Sequence, residues 1–337
     1  MKYEFELLKA DDADIIIICH HTAQEDFIIL IDAGNYGNGK LIKKHLKEKY
    51  NTSYIDLAIC THPDNDHKGG FFYLLNDDDI EIGEFWLTDP ADFLTEADIK
   101  YYRNEENARK AVRQIWENAN DTSENLIDLI DDSCCSWKSV VAGDKHKTLP
   151  IKIVAPNASY YGEVVKQMVE DYGVEAYEES DTEKYDSAAV VDEKDAKSVI
   201  DTTHDDPSPY NKSSLVVLYE PNASNRCLIA GDASRASLVQ MLKDYPELKN
   251  GVFKFKVPHH GSRHNLSTEI IDTLQPTTSY ISAAGTKKHP NNSVVYWLSK
   301  YGSVYSTHTC TSYIHCHIGM AGRFGDVSLE PLKKKHE

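Results

Sequence analysis

The sequence predicts a layered α/β sandwich. Short apolar, β-branched runs recur along the chain, helical stretches lie between and beside them, and chemistry-bearing polar residues stand repeatedly where the apolar runs stop. At 337 residues, 41% hydrophobic and 27% charged, the chain is long enough for one large core or two modest domains.

Each element has a local reason. "ADIIIICHH" (13–21) and "DFIILIDAG" (26–34) read as strands, and "NGKLIKKHLKEKY" (38–50) as a helix after a Gly-rich turn. "YIDLAIC" (54–60) is a buried strand ending at Cys60. "EIGEFWLTDP" (81–90) is a strand closed by Pro90. A long polar helix or helix pair covers 96–120, and short amphipathic spacing gives another helix at 123–130. "WKSVVAGD" and "LPIKIVAP" are strands, the "AGD" at 142–144 being an ordinary turn, and 161–173 is helical. Residues 174–209 are acidic with little apolar periodicity and read as a mobile insertion or long loop. The second half has strands at 213–220, 226–232, 252–262, 277–284 and 312–320, with helices at 236–248, 267–274 and 292–302. No internal repeat is visible.

Net charge is −18, so a phosphate-bearing partner needs a local basic patch. The start "MKYEFELLKADDAD" lacks an apolar signal core and the apolar runs are strand-sized, which predicts neither a secretion signal nor a membrane span. Seven cysteines, several in apolar runs and with no C-x-x-C pair, fit reduced thiols in a cytoplasmic protein; vicinal Cys134–Cys135 is the one redox candidate.

The chemistry concentrates at strand ends. "THPDNDHKGG" (61–70) packs His62, Asp64, Asp66 and His67 into six residues after a strand, followed by Gly69–Gly70. Asp232 ends "CLIAGD", His259–His260 end "FKFKVPHH", and His289 closes the 277–284 unit. Imidazoles and carboxylates gathered from separate strand ends form a ligand set for Zn²⁺, Mn²⁺ or Fe²⁺. Asp232, exposed by Gly231, is the natural bridge between two ions, which would bring the pKa of a shared water from ~15.7 toward about 7. Asp32, after "IILI", reads as a residue that shapes the loop rather than a ligand. His146, His204 and His308 read as surface or capping histidines; His315 and His317 share one strand face, which allows a minor metal site.

The spacing His62-x-Asp64-x-Asp66-His67 before Gly69–Gly70, with "LIDAG", "AGD" and the later histidines in order, resembles the metallo-β-lactamase superfamily. Within it, "SSLVVLYE…CLIAGD", "KVPHHGS" and "KKHP" most resemble the ComEC-like group, the hydrolase domain of the competence DNA-uptake protein. The resemblance spans roughly 13–100 and 210–325. It implies a four-layer αββα sandwich over 1–337 with an insertion at about 96–209. It also implies two divalent metals, Zn or Mn. One would lie on His62, Asp64 and Asp232. The other would lie on Asp66, His67, Asp232 and one of His259 and His260, the remaining histidine contacting phosphate or serving as acid. Asp66, His259, His260 and His289 are then the catalytic candidates, and His289 is either a ligand or a phosphate contact.

Two departures matter. Most members carry His at Asp64, and the carboxylate makes Mn²⁺ plausible beside Zn²⁺. A further ligand His expected before the 213–220 strand is replaced by Asn211 or Ser213, which predicts a weaker first metal unless His204 folds back. Lys68, Lys212, Arg235, Lys254, Lys256, Arg263, Lys287 and Lys288 flank the motifs. Converging, they would favour a phosphate-bearing substrate, with Asn211, Ser213, Lys256, Ser262, Arg263 and His289 contacting it. The first functional expectation is therefore a phosphodiesterase or nuclease acting on DNA or a nucleotide. The alternatives are a small-molecule hydrolase acting on a phosphorylated choline, cyclic nucleotide or lactone, and a non-catalytic binding protein.

Overall fold

Alternation along the first strands sets the architecture. In the computed structural model, which describes residues 2–100, 104–117, 125–171, 192–286, 288–319 and 330–332, strand β1 (Lys2–Leu8) turns Tyr3, Phe5 and Leu7 to one face and Glu4, Glu6 and Leu8 to the other. β2 (Ile16–His21) and β3 (Asp26–Ile31) follow the same rule, with Ile16, Ile18, Ile29 and Ile31 joining the first face. A strand buried on both faces needs a layer on each side.

Those layers are two sheets and two sets of helices, a four-layer αββα sandwich. The first sheet adds β4 (Tyr54–Ile59), β5 (Glu81–Leu87), β6 (Ser136–Ser139) and β13 (Tyr313–Ile318), in the order β13-β1-β2-β3-β4-β5-β6. The second comprises β7 (Ile151–Ala155), β8 (Val216–Tyr219), β9 (Cys227–Ile229), β10 (Lys254–Lys256), β11 (Thr278–Ile281) and β12 (Ser303–Ser306), in the order β12-β11-β10-β9-β8-β7. Each sheet opens with antiparallel pairs and continues in parallel ones. Leu57, Ile59 and Trp86 meet Ile153, Val217, Tyr219 and Ile229 between the sheets.

Parallel strands require crossovers, and here these are helices. Helices α1 (Asn38–His45) and α2 (Asn65–Leu75) cover the first sheet, with Trp116 of α4 (Glu105–Trp116) and Ile127 of α5 (Leu126–Asp132) in the same outer core. α3 (Glu96–Ile99) precedes α4, and α6 (Ala158–Asp171) follows β7. α7 (Glu193–Thr202), α9 (Arg235–Asp244), α10 (Thr268–Leu274) and α11 (Asn292–Leu298) cover the second sheet, and α8 (Pro209–Lys212) precedes β8.

Two expectations change. β1 and β12 stand in segments with no assigned element. The 96–120 stretch holds a helix pair, α3 and α4, as one of the two expectations had it, with 101–103 and 118–120 outside the described residues. The acidic 174–209 stretch is not one long loop: α7 buries Ala196 and Ile200 against the second sheet's outer core, and Asp201 accepts from the Thr268 amide at 3.0 Å. Residues 172–191 lie outside the described residues.

Candidate metal centre

The parallel strands β3, β4, β9 and β10 all deliver their C-terminal ends to one rim. β4 stops at Ile59, and Thr61 turns the chain so that His62 is fully buried while Asp64 and Asp66 remain about one third exposed. Asp64 occupies the N-cap position of α2, and its carbonyl accepts the amides of His67 and Lys68 at 2.9 Å. The two glycines then have a steric reason. A Cβ on Gly70 would lie 2.1 Å from the Ala33 carbonyl oxygen, and one on Gly69 would lie 2.7 Å from the Tyr36 nitrogen. The first turn of α2 thus docks directly on the loop after β3, holding His67 over the rim.

Asp232 stands at the centre. Its Oδ1 is 3.4 Å from His67 Nε2, and its Oδ2 lies 3.9 Å from the Nε2 atoms of both His62 and His260 and 4.0 Å from that of His259. His260 Nε2 also lies 3.3 Å from Asp66 Oδ2, and His62 Nε2 lies 3.7 Å from Asp64 Oδ2. The donors fall into two overlapping groups, His62, His67 and Asp232, and Asp66, His67 and His260, with Asp64 beside His62 and His259 beside Asp232. The Nε2 atoms of His62 and His67 are buried with no hydrogen-bond partner, the condition of imidazoles that point at a cation. The residues fit a pair of divalent ions.

The opposite ring nitrogens show why these rings face inward. His67 Nδ1 donates to Asp32 Oδ2 at 2.8 Å, and His260 Nδ1 donates to the Ser282 carbonyl at 3.1 Å. Thr61 Oγ1, which itself donates to Asp32 at 2.7 Å, lies 3.1 Å from His62 Nδ1. Such partners fix ligand tautomer and orientation. Asp32 is thus a support rather than a ligand in this arrangement. His259 and His260 carry φ of 45° and 53°, left-handed values that cost about 1–3 kcal/mol each for residues with a Cβ, so the surrounding contacts must hold the turn.

Charge accumulates here. Burial pushes the pKa of His67 down, but Asp232, Asp66, Asp32 and Asp14 outweigh it and drive it well above the usual imidazole value. Burial likewise opposes ionisation of Asp232, yet His67, His259 and His260 hold it well below the usual carboxylate range. His259, largely desolvated but facing Asp232 and Asp206, is raised to about 9. His289 is the exception. Burial, reinforced by His259, His260 and Lys288, lowers it to about 2, so it stays neutral. Its ring centroid is 5.5 Å from that of His259, and its buried Nδ1 has no hydrogen-bond partner.

The structure supplies residues that the sequence reading lacked. Asp206 Oδ2 accepts from His259 Nδ1 at 2.9 Å, Asn211 Nδ2 at 2.8 Å and Asn265 Nδ2 at 3.1 Å. Asn211 thus supports Asp206 through Nδ2 while its Oδ1 is buried with no hydrogen-bond partner, and His204, two residues before Asp206, is exposed. Asp14 is fully buried, 3.7 Å from His67 Nδ1 and ion-paired with Lys256. A carboxylate inside the apolar run "ADIIII" was the available signal for Asp14; "HDDPSPY" offered none for Asp206 beyond its acidity.

Several expected substrate contacts are used internally. Lys256 is fully buried, pairs with Asp14 and donates to the Gly231 carbonyl at 3.2 Å, so it lies beneath the site instead of lining it. Ser213 donates to the Tyr210 carbonyl at 2.6 Å, while its neighbour Ser214 accepts the Asp232 amide at 3.0 Å. Ser262 is buried and accepts the His264 amide at 3.1 Å. Lys68 pairs with Glu117, Lys254 is buried over the Phe253 ring, Lys212 donates to Gln167, and Arg235 is spent on backbone carbonyls. Arg263 is half-buried, its carbonyl accepting from Arg235. Lys287 lies outside the described residues. Lys68, Lys212, Arg235, Lys254 and Lys256 are thus engaged within the fold, while Lys288 is exposed next to His289.

The chain matches no protein-family model. It is 33% identical over 98 residues to ComE operon protein 3 of Bacillus subtilis (strain 168), a match covering 28% of this chain and 12% of that protein. Among solved structures, a CmlA β-hydroxylase variant aligns with TM-score 0.47 and 10% identity, over 93% of this chain and 54% of that one. A protein described as a metallo-β-lactamase from Thermotoga maritima aligns with TM-score 0.32 and 11% identity, over 68% of this chain and 79% of that one. The described residues form a four-layer αββα sandwich whose rim gathers imidazoles and carboxylates of metal-ligand type. No helix among the described residues is long and apolar enough to cross a membrane.

Proposed function

We propose that this protein is a dinuclear metallohydrolase that cleaves phosphodiesters. The observation carrying the reading is the convergence of His62, His67, His259 and His260 on the single carboxylate of Asp232, within 3.4–4.0 Å. When bound, a pair of divalent cations supplies Lewis acidity, makes water nucleophilic near neutral pH and offsets charge on phosphoryl oxygens. Asp232 is the residue that would hold both. His62, Asp64 and His259 would complete one site, which answers the loss of a histidine at Asn211. Asp66, His67 and His260 would complete the other. Neutral His289, beside His259, is placed to hydrogen-bond a phosphoryl oxygen without adding charge.

The substrate reading has one specific competitor. Asp206 also lines an open groove with Tyr160, Glu163, Gln167, Asp205 and Lys212. A groove richer in carboxylates than in cations disfavours a long polyanion and favours a small diester. The resemblance of the motifs "KVPHHGS" and "KKHP" to the ComEC-like group supports a nucleic-acid substrate instead. Turnover of bis(p-nitrophenyl) phosphate, single-stranded DNA and RNA by protein loaded with Mn²⁺ or Zn²⁺ separates these. Cleavage of all three makes it a nuclease, and cleavage of the small diester alone selects the second reading. Cleavage of none by metal-loaded protein ends the phosphodiesterase proposal.

A further inference from the structure

A second set of metal-ligand side chains lies on the helix-covered face of the first sheet, at the far end of β2 from the rim. Asp14 at the rim and His21 are seven residues apart along a nearly extended chain, roughly 20 Å. Glu4 on β1 faces Cys19 across the β2 pairing, and on its other side β13 sets His317 opposite Glu4 and His315 opposite Glu6, from where His315 reaches Glu4 diagonally. The ligand atoms of Glu4, Cys19 and His21 all lie within 4.8 Å of one another, and all three residues are buried. His21 Nε2 is 3.1 Å from Glu4 Oε1, and His315 Nε2 is 3.1 Å from Glu4 Oε2.

Two features separate this set from an ordinary buried ion-pair network. His315 Nε2 makes no hydrogen bond although its side chain is only 1% exposed, the same condition as the Nε2 atoms of His62 and His67 at the rim. In addition, His21 Nδ1 is 2.5 Å from Asp26 Oδ1, which turns Nε2 to Glu4 as a carboxylate does behind a ligating imidazole, while Cys19 Sγ lies 3.9 Å from Nδ1. Glu6, the other buried carboxylate nearby, is already engaged by Lys49 and by His45 Nε2 at 2.6 Å. That leaves Glu4 as the carboxylate facing the thiol and the two imidazoles.

We propose that Glu4, Cys19, His21 and His315 form a structural zinc site, separate from the rim centre, that fastens the last strand β13 to β1 and β2. One thiolate, two imidazoles and one carboxylate suit tetrahedral Zn²⁺, with bonds of about 2.0–2.3 Å. The donors are fixed by the sheet register, so the site forms only when β13 is docked. Binding is then coupled to folding of the chain's two ends.

Cobalt substitution tests this directly, because no cysteine belongs to the rim donor set. Full-length protein loaded with Co²⁺ is expected to show an ultraviolet thiolate-to-cobalt charge-transfer band. The band disappears in Cys19→Ser, weakens or shifts in His315→Ala and persists in Asp232→Asn. Zinc content is expected to fall by one equivalent in Cys19→Ser and in His315→Ala. Thermal unfolding of the metal-free proteins checks that the variants fold; a near-isosteric Ser at position 19 preserves packing. Absence of the band in the parent protein, its survival in Cys19→Ser, or unchanged zinc content in that variant overturns the proposal.

Discussion

Replacing Asp206 by Asn should weaken one metal site and spare the other. The carboxylate accepts three side-chain donors on Oδ2 and the Ser208 amide on Oδ1 at 3.0 Å. An amide can keep its oxygen toward His259, Asn211 and Asn265 only by turning its NH₂ against the Ser208 N–H. Three charge-assisted bonds become neutral and one buried donor is orphaned, a global cost of about 1–3 kcal/mol. At the site, His259 loses the anion that orients it. Partners behind a metal ligand typically contribute 10–100-fold in affinity, or about 1.4–2.8 kcal/mol. Calorimetric titration with Mn²⁺ or Zn²⁺ should show one of two binding phases weakened by that factor, with the phase resting on Asp66, His67 and His260 unchanged. Denaturant unfolding of metal-free protein separates the global cost. Equal weakening of both phases, or no change in either, refutes the assignment of His259 to the His62 side.

Other perturbations test other links. Lys256→Met strands the Asp14 carboxylate in a fully buried position and should cost about 3–5 kcal/mol in urea unfolding, while Lys256→Met with Asp14→Leu should recover most of it. Gly70→Ala forces a methyl to within 2.1 Å of the Ala33 carbonyl and should destabilise by about 2–3 kcal/mol or displace α2, read as loss of metal affinity alongside a lower melting temperature. His289→Ala should lower kcat more than metal content if the ring contacts phosphate. The reverse ranking, measured by elemental analysis beside turnover, makes it a ligand.

Much of the frame was legible locally. Apolar runs such as 54–60 and 226–230 become buried strands because their neighbours in sequence already specify period and ends. The ligand motif was legible because His62 through His67 sit within one turn of a helix start. What stayed hidden depends on distant partners. β1 reads as a charged segment until Glu4 and Glu6 are seen against His21, His45, Lys49 and His315. α7 reads as an acidic loop because only Ala196 and Ile200 face the core. Lys256 reads as a surface cation because nothing nearby in sequence announces Asp14, 242 positions earlier. Asp206 gains its meaning only when the loop before α8 folds onto His259.

The central claim is that two cations share Asp232. Anomalous diffraction from crystals grown with Mn²⁺ tests it most directly. The account predicts two peaks flanking the Asp232 carboxylate, one against His62 and His259 and one against Asp66, His67 and His260. A single peak remote from Asp232, or none in protein that retains its manganese in solution, contradicts it.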